Sequence, residues 1–202
     1  LTLDKLLLHA GKGSLSGTGT ALLRDGKPSM QIALLADKLA ILQRPDRQVT
    51  VSGKANVDLA PRLIRVKAKL KADRALIELP RDDAPTLSSD VVVLGWKKPP
   101  PKKGLPTALD FDLEFDLGDQ FYLKGRGVDA RLTGLVNLHA RDGGLPTATG
   151  SVQVAKGTYS AYGQNLSIER GVVNFSGPLD NPGLNILALR KNQTVEAGVA
   201  IT

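Results

Sequence analysis

Four carboxylates stand at alternate positions in one short run: Asp110, Asp112, Glu114 and Asp116. Paired carboxylates can divide acid and base roles, and an Asp-x-Asp pair can hold a hard cation through its oxygens. Extended backbone puts the four on one face, about 6.8 Å apart. They are also the polar half of an unbroken alternation, Leu109-Asp110-Phe111-Asp112-Leu113-Glu114-Phe115-Asp116-Leu117. Acid–base and metal sites gather groups from different elements, whereas this row repeats along a single one. The row is therefore expected to be a solvated outer face.

Other residues with chemical potential are sparse. The chain has no Cys, which excludes disulfides, thiolate metal sites and cysteine nucleophiles. Its two histidines, His9 and His139, have no neighbours at zinc-ligand spacing. Gly11-Lys12-Gly13-Ser14-Leu15-Ser16-Gly17 misses the dinucleotide spacing by one residue, and no helical pattern follows to hold a phosphate. It reads as a strand-linking turn, as does Gly125-Arg126-Gly127. Asn165-Leu166-Ser167, Asn174-Phe175-Ser176 and Asn192-Gln193-Thr194 match the glycosylation acceptor, a triplet that arises readily by chance. No Ser–His–Asp or Glu–His arrangement has local support. The expectation is a protein that is not an enzyme and uses no cofactor or metal.

The elements that would position these residues are strands. Ile64-Arg65-Val66-Lys67-Ala68-Lys69-Leu70-Lys71 alternates like the carboxylate run, and period two places one residue class on each face. Shorter strand candidates are Thr50–Leu59, Gln120–Lys124, Ala130–Leu138, Ser151–Ala155, Gln164–Glu169, Val172–Phe175, Leu184–Leu189 and Val195–Ile201. Asp25-Gly26, Asp142-Gly143-Gly144 and Gly177-Pro178 punctuate them. Met30 to Gln43 fits an amphipathic helix as well as a strand, with Leu35, Leu39 and Leu42 at helical spacing. Its strand-rich surroundings favour strand.

A weak repeat supports the same picture. Val51-Ser52-Gly53, Leu132-Thr133-Gly134 and Leu15-Ser16-Gly17 share one theme, and Thr50–Leu59 resembles Arg131–Leu138. Repeated β units side by side suggest an elongated sheet. Two loops interrupt it. Residues 80–89 are acidic and polar. Residues 97–107 carry Lys97-Lys98-Pro99-Pro100-Pro101-Lys102-Lys103, a charged polyproline run that no sheet centre accepts and that reads as an exposed spacer.

The 202 residues suffice for one domain with a core, and residues 1–202 are expected to form a single unit. The net charge is +7, but the cations are dispersed and only eight aromatics accompany them. Single-strand binders combine basic grooves with aromatic platforms, so nucleic acid is not the expected partner. No stretch approaches the roughly 20 apolar residues of a membrane helix. Starting at Leu1 and stopping within an alternating run, the chain reads as a piece of a longer protein.

Each long strand has one apolar face, and little helix is available to cover it, so the sheet must curl on itself or pack on another. The expected fold is mostly β, an elongated curled antiparallel sheet forming an apolar trough. Alternation assigns Phe111, Leu113 and Phe115 to its lining, with Val66 and Leu70. Val152, Val154, Leu166, Ile168, Val173, Phe175, Leu184 and Ile186 join by the same rule. Such a lining suits acyl chains better than flat rings. Alternation alone leaves two possibilities, a filled core or an open groove. Arg65, Lys67, Lys69 and Lys71 should point outward, as should the four carboxylates. If the two strands are neighbours, opposed charges help fix their register.

Between Gly150 and Thr202 the chain resembles the C-terminal region of the TamB family, AsmA-like inner-membrane components of the translocation and assembly module. The pieces Tyr162-Gly163-Gln164, Ile168-Glu169-Arg170-Gly171 and Phe175-Ser176-Gly177-Pro178-Leu179-Asp180-Asn181-Pro182 carry the resemblance in order and spacing. Arg44-Pro45-Asp46-Arg47, Asp90-Val91-Val92-Val93 and the Leu-Asp-Phe-Asp-Leu strand are similar in a looser way. The resemblance implies a large protein anchored in the inner membrane of a Gram-negative bacterium and crossing the periplasm. It implies a trough-like β-sheet (β-taco), partnership with the outer-membrane barrel TamA, and phospholipid transfer between membranes. The other implied role is a chaperone-like surface for outer-membrane β-barrel and autotransporter proteins. The family's N-terminal anchor and final segment, where TamA contact is expected, are not recognised in these residues.

Overall fold

The computed structural model describes residues 2–24, 27–80, 108–142, 144–161, 163–190 and 198–201. They form twelve strands in one sheet. The strands are β1 (Thr2–Ala10), β2 (Gly13–Arg24), β3 (Lys27–Arg44), β4 (Arg47–Ala60), β5 (Leu63–Glu78), β6 (Ala108–Asp116), β7 (Phe121–Gly125), β8 (Val128–Ala140), β9 (Thr147–Ala161), β10 (Gln164–Pro178), β11 (Gly183–Leu189) and β12 (Gly198–Ile201). Their spatial order follows the chain, except that β6 and β7 share one place between β5 and β8. The Met30–Gln43 segment is strand, inside β3. The loops expected at 80–89 and 97–107 lie outside the described residues apart from Pro80, as do residues 195–197 of the last strand candidate.

Neighbouring strands pair antiparallel, with two exceptions: β6 and β7 both run parallel to β5. Antiparallel order would have placed β6 head-to-tail after β5. Instead Ala108 lies beside Leu63, at the end of the sheet where β5 begins. The sheet is therefore mixed.

A line of irregularities crosses the strands near their middles. It starts at Lys38 in β3, which has a φ of 47°. It passes the register shifts at Thr50/Val51 and Arg131/Leu132 and the gap between β6 and β7. It ends at the shift between Ile168 and Arg170 in β10. A bulge adds a residue to one strand and bends it, so a row of bulges creases the whole sheet. Local hydrogen bonds hold the crease. The Lys38 N–H donates to Ser52 Oγ at 2.9 Å, Ser52 Oγ donates to Asp73 at 2.6 Å, and the Gly118 N–H donates to Asp116 at 2.8 Å.

Buried side chains concentrate on and beside this line. Val51, Ala72, Ala75, Leu117 and Ala130 are all nearly inaccessible. Seven of the eleven buried apolar residues among those described are alanines, and Val51 is the largest fully buried side chain. A filled core of this size would enclose its leucines and phenylalanines. Here all four phenylalanines are only half-buried.

Candidate functional site

Register shows which residues share a face. Val57 pairs Val66, Val66 pairs Phe111, and Phe111 pairs Ala140, so one apolar row runs from β4 to β8. A second row takes Leu70, Phe115, Val136, Gly150 and Phe175 from β5 to β10. Val152, Val173 and Leu184 form a third. Leu113 sits between Ala68 and Leu138, Ile186 opposes Gly171, and Ile168 opposes Ala188. Val154 lies over Gly171, where an added Cβ would meet its Cγ2 at 2.5 Å. Leu166 faces Tyr159 on the same side. All thirteen residues assigned from alternation thus lie on one face. Leu166 is buried, Leu184 is exposed, and the other eleven are half-buried.

The densest part of this face is a cluster of Leu117, Val136 and Ala148, packed by Phe115, Phe121, Val152 and Phe175. Gly150 makes it possible. Its φ of +116° and the Leu135 carbonyl oxygen, 2.2 Å from where a Cβ would sit, admit no side chain. The space goes to Phe175, which pairs with it. Sequence reasoning did not assign Ile32, Leu34, Ala55, Val57, Leu132 and Leu138 to the face, though register places them there. Alternation in Thr50–Leu59 and Ala130–Leu138 was the signal for the last four.

The opposite face is charged. Arg65, Lys67, Lys69 and Lys71 lie opposite Asp110, Asp112, Glu114 and Asp116, residue for residue. Lys69 reaches Glu114 at 2.8 Å and Arg65 reaches Asp110 at 3.8 Å. Asp110 is buried and accepts the Asp142 N–H at 3.0 Å. Opposed charges of this kind contribute about 0.2–1 kcal/mol each, and a one-residue slip would put every lysine against an apolar partner. The carboxylate row thus sets register. This face also carries recesses, such as one of about 650 Å³ lined by Lys54, Lys67, Lys69, Asp112 and His139 together with Ala68 and Leu113.

Asp112 turns from Lys67 to β8. It meets His139 Nδ1 at 2.5 Å and accepts from Arg141 at 2.9 and 3.1 Å. The His139 hydrogen bond, with help from Arg141, holds its carboxyl below the ordinary value of 3.8 despite some desolvation. A carboxyl with a lowered folded-state pKa stabilises the fold above its ordinary value, and the contribution vanishes as pH falls through the lowered one. Asp112→Asn should therefore cost up to about 1 kcal/mol near neutral pH, since both partners are half-exposed. Thermal unfolding at neutral and acid pH should show that difference closing as pH falls through the lowered value. An equal difference at both pH values would show that the ionised carboxylate is not what matters.

Known proteins match this chain at the level of a family and of individual relatives. The TamB C-terminal domain family matches residues 4–202. The translocation and assembly module subunit TamB of Haemophilus influenzae is 35% identical over 85 residues, which is 42% of this chain and 6% of that relative. The matched stretch is thus a small part of the relative's length.

Proposed function

Because this chain belongs to the TamB family, we propose that it forms part of a translocation and assembly module subunit in the envelope of a Gram-negative bacterium. In this reading the full protein is anchored in the inner membrane, crosses the periplasm and works with TamA. Its apolar face is an open groove that conducts phospholipid between the two membranes, without enzymatic chemistry. The observation that carries the reading is the exposure of that face. Phe111, Leu113, Phe115, Val66 and Leu70 are all only partly buried, beside buried alanines such as Ala72 and Ala140. A large continuous apolar surface left accessible to solvent marks a binding site. Each acyl methylene it removes from water gains about 0.8 kcal/mol.

Photo-crosslinking in the full-length protein tests this. A probe at position 113 should capture phospholipid, and one at position 114, on the charged face, should not. Equal capture at both positions would overturn the groove.

A further inference from the structure

The two rims of the apolar face differ. At the rim made by the β2–β3, β4–β5, β8–β9 and β10–β11 connections, Leu23 is 73% exposed and Leu145 86%, with Leu22 and Leu179 also exposed. At the other rim, the β3–β4 turn carries Arg44, Asp46 and Arg47.

These arginines do not belong to the charged outer face. Arg44 pairs with Arg47 across the turn, Leu42 pairs with Val49, and Arg47 pairs with Ile77. Since Ile77, Ala75, Val49 and Val51 all lie on the apolar side, register puts both arginines there too. Like charges placed directly opposite repel. Asp46 lies between them, 3.3 Å from each Nε. One carboxylate shared by two guanidinium groups leaves a positive charge at the rim, and both side chains remain about half-exposed or more. Guanidinium is the side-chain group best shaped for bidentate phosphate binding.

We propose that the amphiphile on this face carries a net negative phosphate headgroup, seated at Arg44 and Arg47, with its chains running along β4 and β5 toward the crease. The inference rests on the lipid reading above and adds headgroup class and orientation to it. The dimensions fit. From Arg47 to Val51 at the crease is four strand residues, or about 13 Å. One leaflet of hydrocarbon is about 15 Å deep. Val49 and Ile77 on that path are apolar and partly exposed, and inaccessible Val51 marks its end. The opposite rim sets exposed leucines beside separate cations such as Lys27 and Arg62, with no paired arginines among the described residues of its β2–β3 and β4–β5 connections.

The test uses the full-length protein with photo-probes at position 77, paired with Arg47, and at position 113, the lipid adducts of each sorted by headgroup. The unsubstituted protein should capture phosphatidylglycerol over phosphatidylethanolamine in excess of their ratio in the membrane. Arg44→Gln with Arg47→Gln should lower that preference at least about fivefold while total capture persists. Persistent capture also shows that the variant folds. Lys27→Gln with Arg62→Gln, at the opposite rim, should leave the preference unchanged. A preference that is absent, or that survives loss of both arginines, overturns the headgroup assignment and leaves the groove standing. No lipid at position 113 in the unsubstituted protein overturns the groove itself.

Discussion

Leu113→Arg in the full-length protein is expected to abolish lipid capture on the apolar face and to compromise the envelope as severely as loss of the protein. Leu113 is half-buried between Ala68 and Leu138, at the centre of the row it shares with Phe111 and Phe115. An isolated ion there loses water and gains no partner, a cost of several kcal/mol. Acyl chains would have to pass that ion. Glu114→Gln is the control, one residue along on the charged face. It removes an exposed ion pair with Lys69, worth less than about 1 kcal/mol. Envelope permeability and lipid adducts are the readouts. If Leu113→Arg proves as harmless as Glu114→Gln, the face conducts nothing.

Large stability losses are expected at Gly53 and Gly134, two glycines of the repeated Val/Leu-Ser/Thr-Gly theme. Gly53 has a φ of +151° and Gly134 of +140°. A Cβ on Gly53 would lie 2.1 Å from the Lys69 carbonyl oxygen, and one on Gly134 would lie 2.2 Å from that of Ser151. Both obstacles are backbone of the neighbouring strand, so relief requires parting the ladder. Gly53→Ala and Gly134→Ala should each cost at least about 3 kcal/mol. Gly177→Ala, where nothing lies within 4 Å and φ is ordinary, should stay within about 0.5 kcal/mol. Urea unfolding distinguishes them. A similar midpoint for all three would mean that the strands part without cost at the theme glycines.

Faces were the most legible part of the structure, because period two is a property of the chain itself. Ile64–Lys71 and Leu109–Leu117 needed only alternation to place Val66, Leu70, Phe111, Leu113 and Phe115 together. Their opposed charges even anticipated the neighbouring of β5 and β6. Their parallel sense was not legible, since no local pattern encodes which end of a sheet the chain returns to. Strands β1 and β2 escaped notice for a different reason. Leu6-Leu7-Leu8 does not alternate, and Gly17-Thr18-Gly19 offers little apolar contrast. The crease was hidden because a bulge breaks alternation, as Ala72-Asp73-Arg74-Ala75 does, and a broken pattern resembles a strand end. Whether the apolar face is open depends on what covers it, and alternation is the same either way.

The crease has a mechanical consequence. It runs across the strands, so the sheet's two directions answer force differently. Tension applied between β1 and β12 loads the hydrogen bonds of every ladder in series, and the weakest ladder limits the whole. Spreading the two rims instead bends each strand at its own bulge, where Gly118 and the contacts of Ser52 and Asp73 sit. Stiffness along the length and compliance across it are therefore set by different residues. A substitution such as Ser52→Ala would soften the second while leaving the first intact.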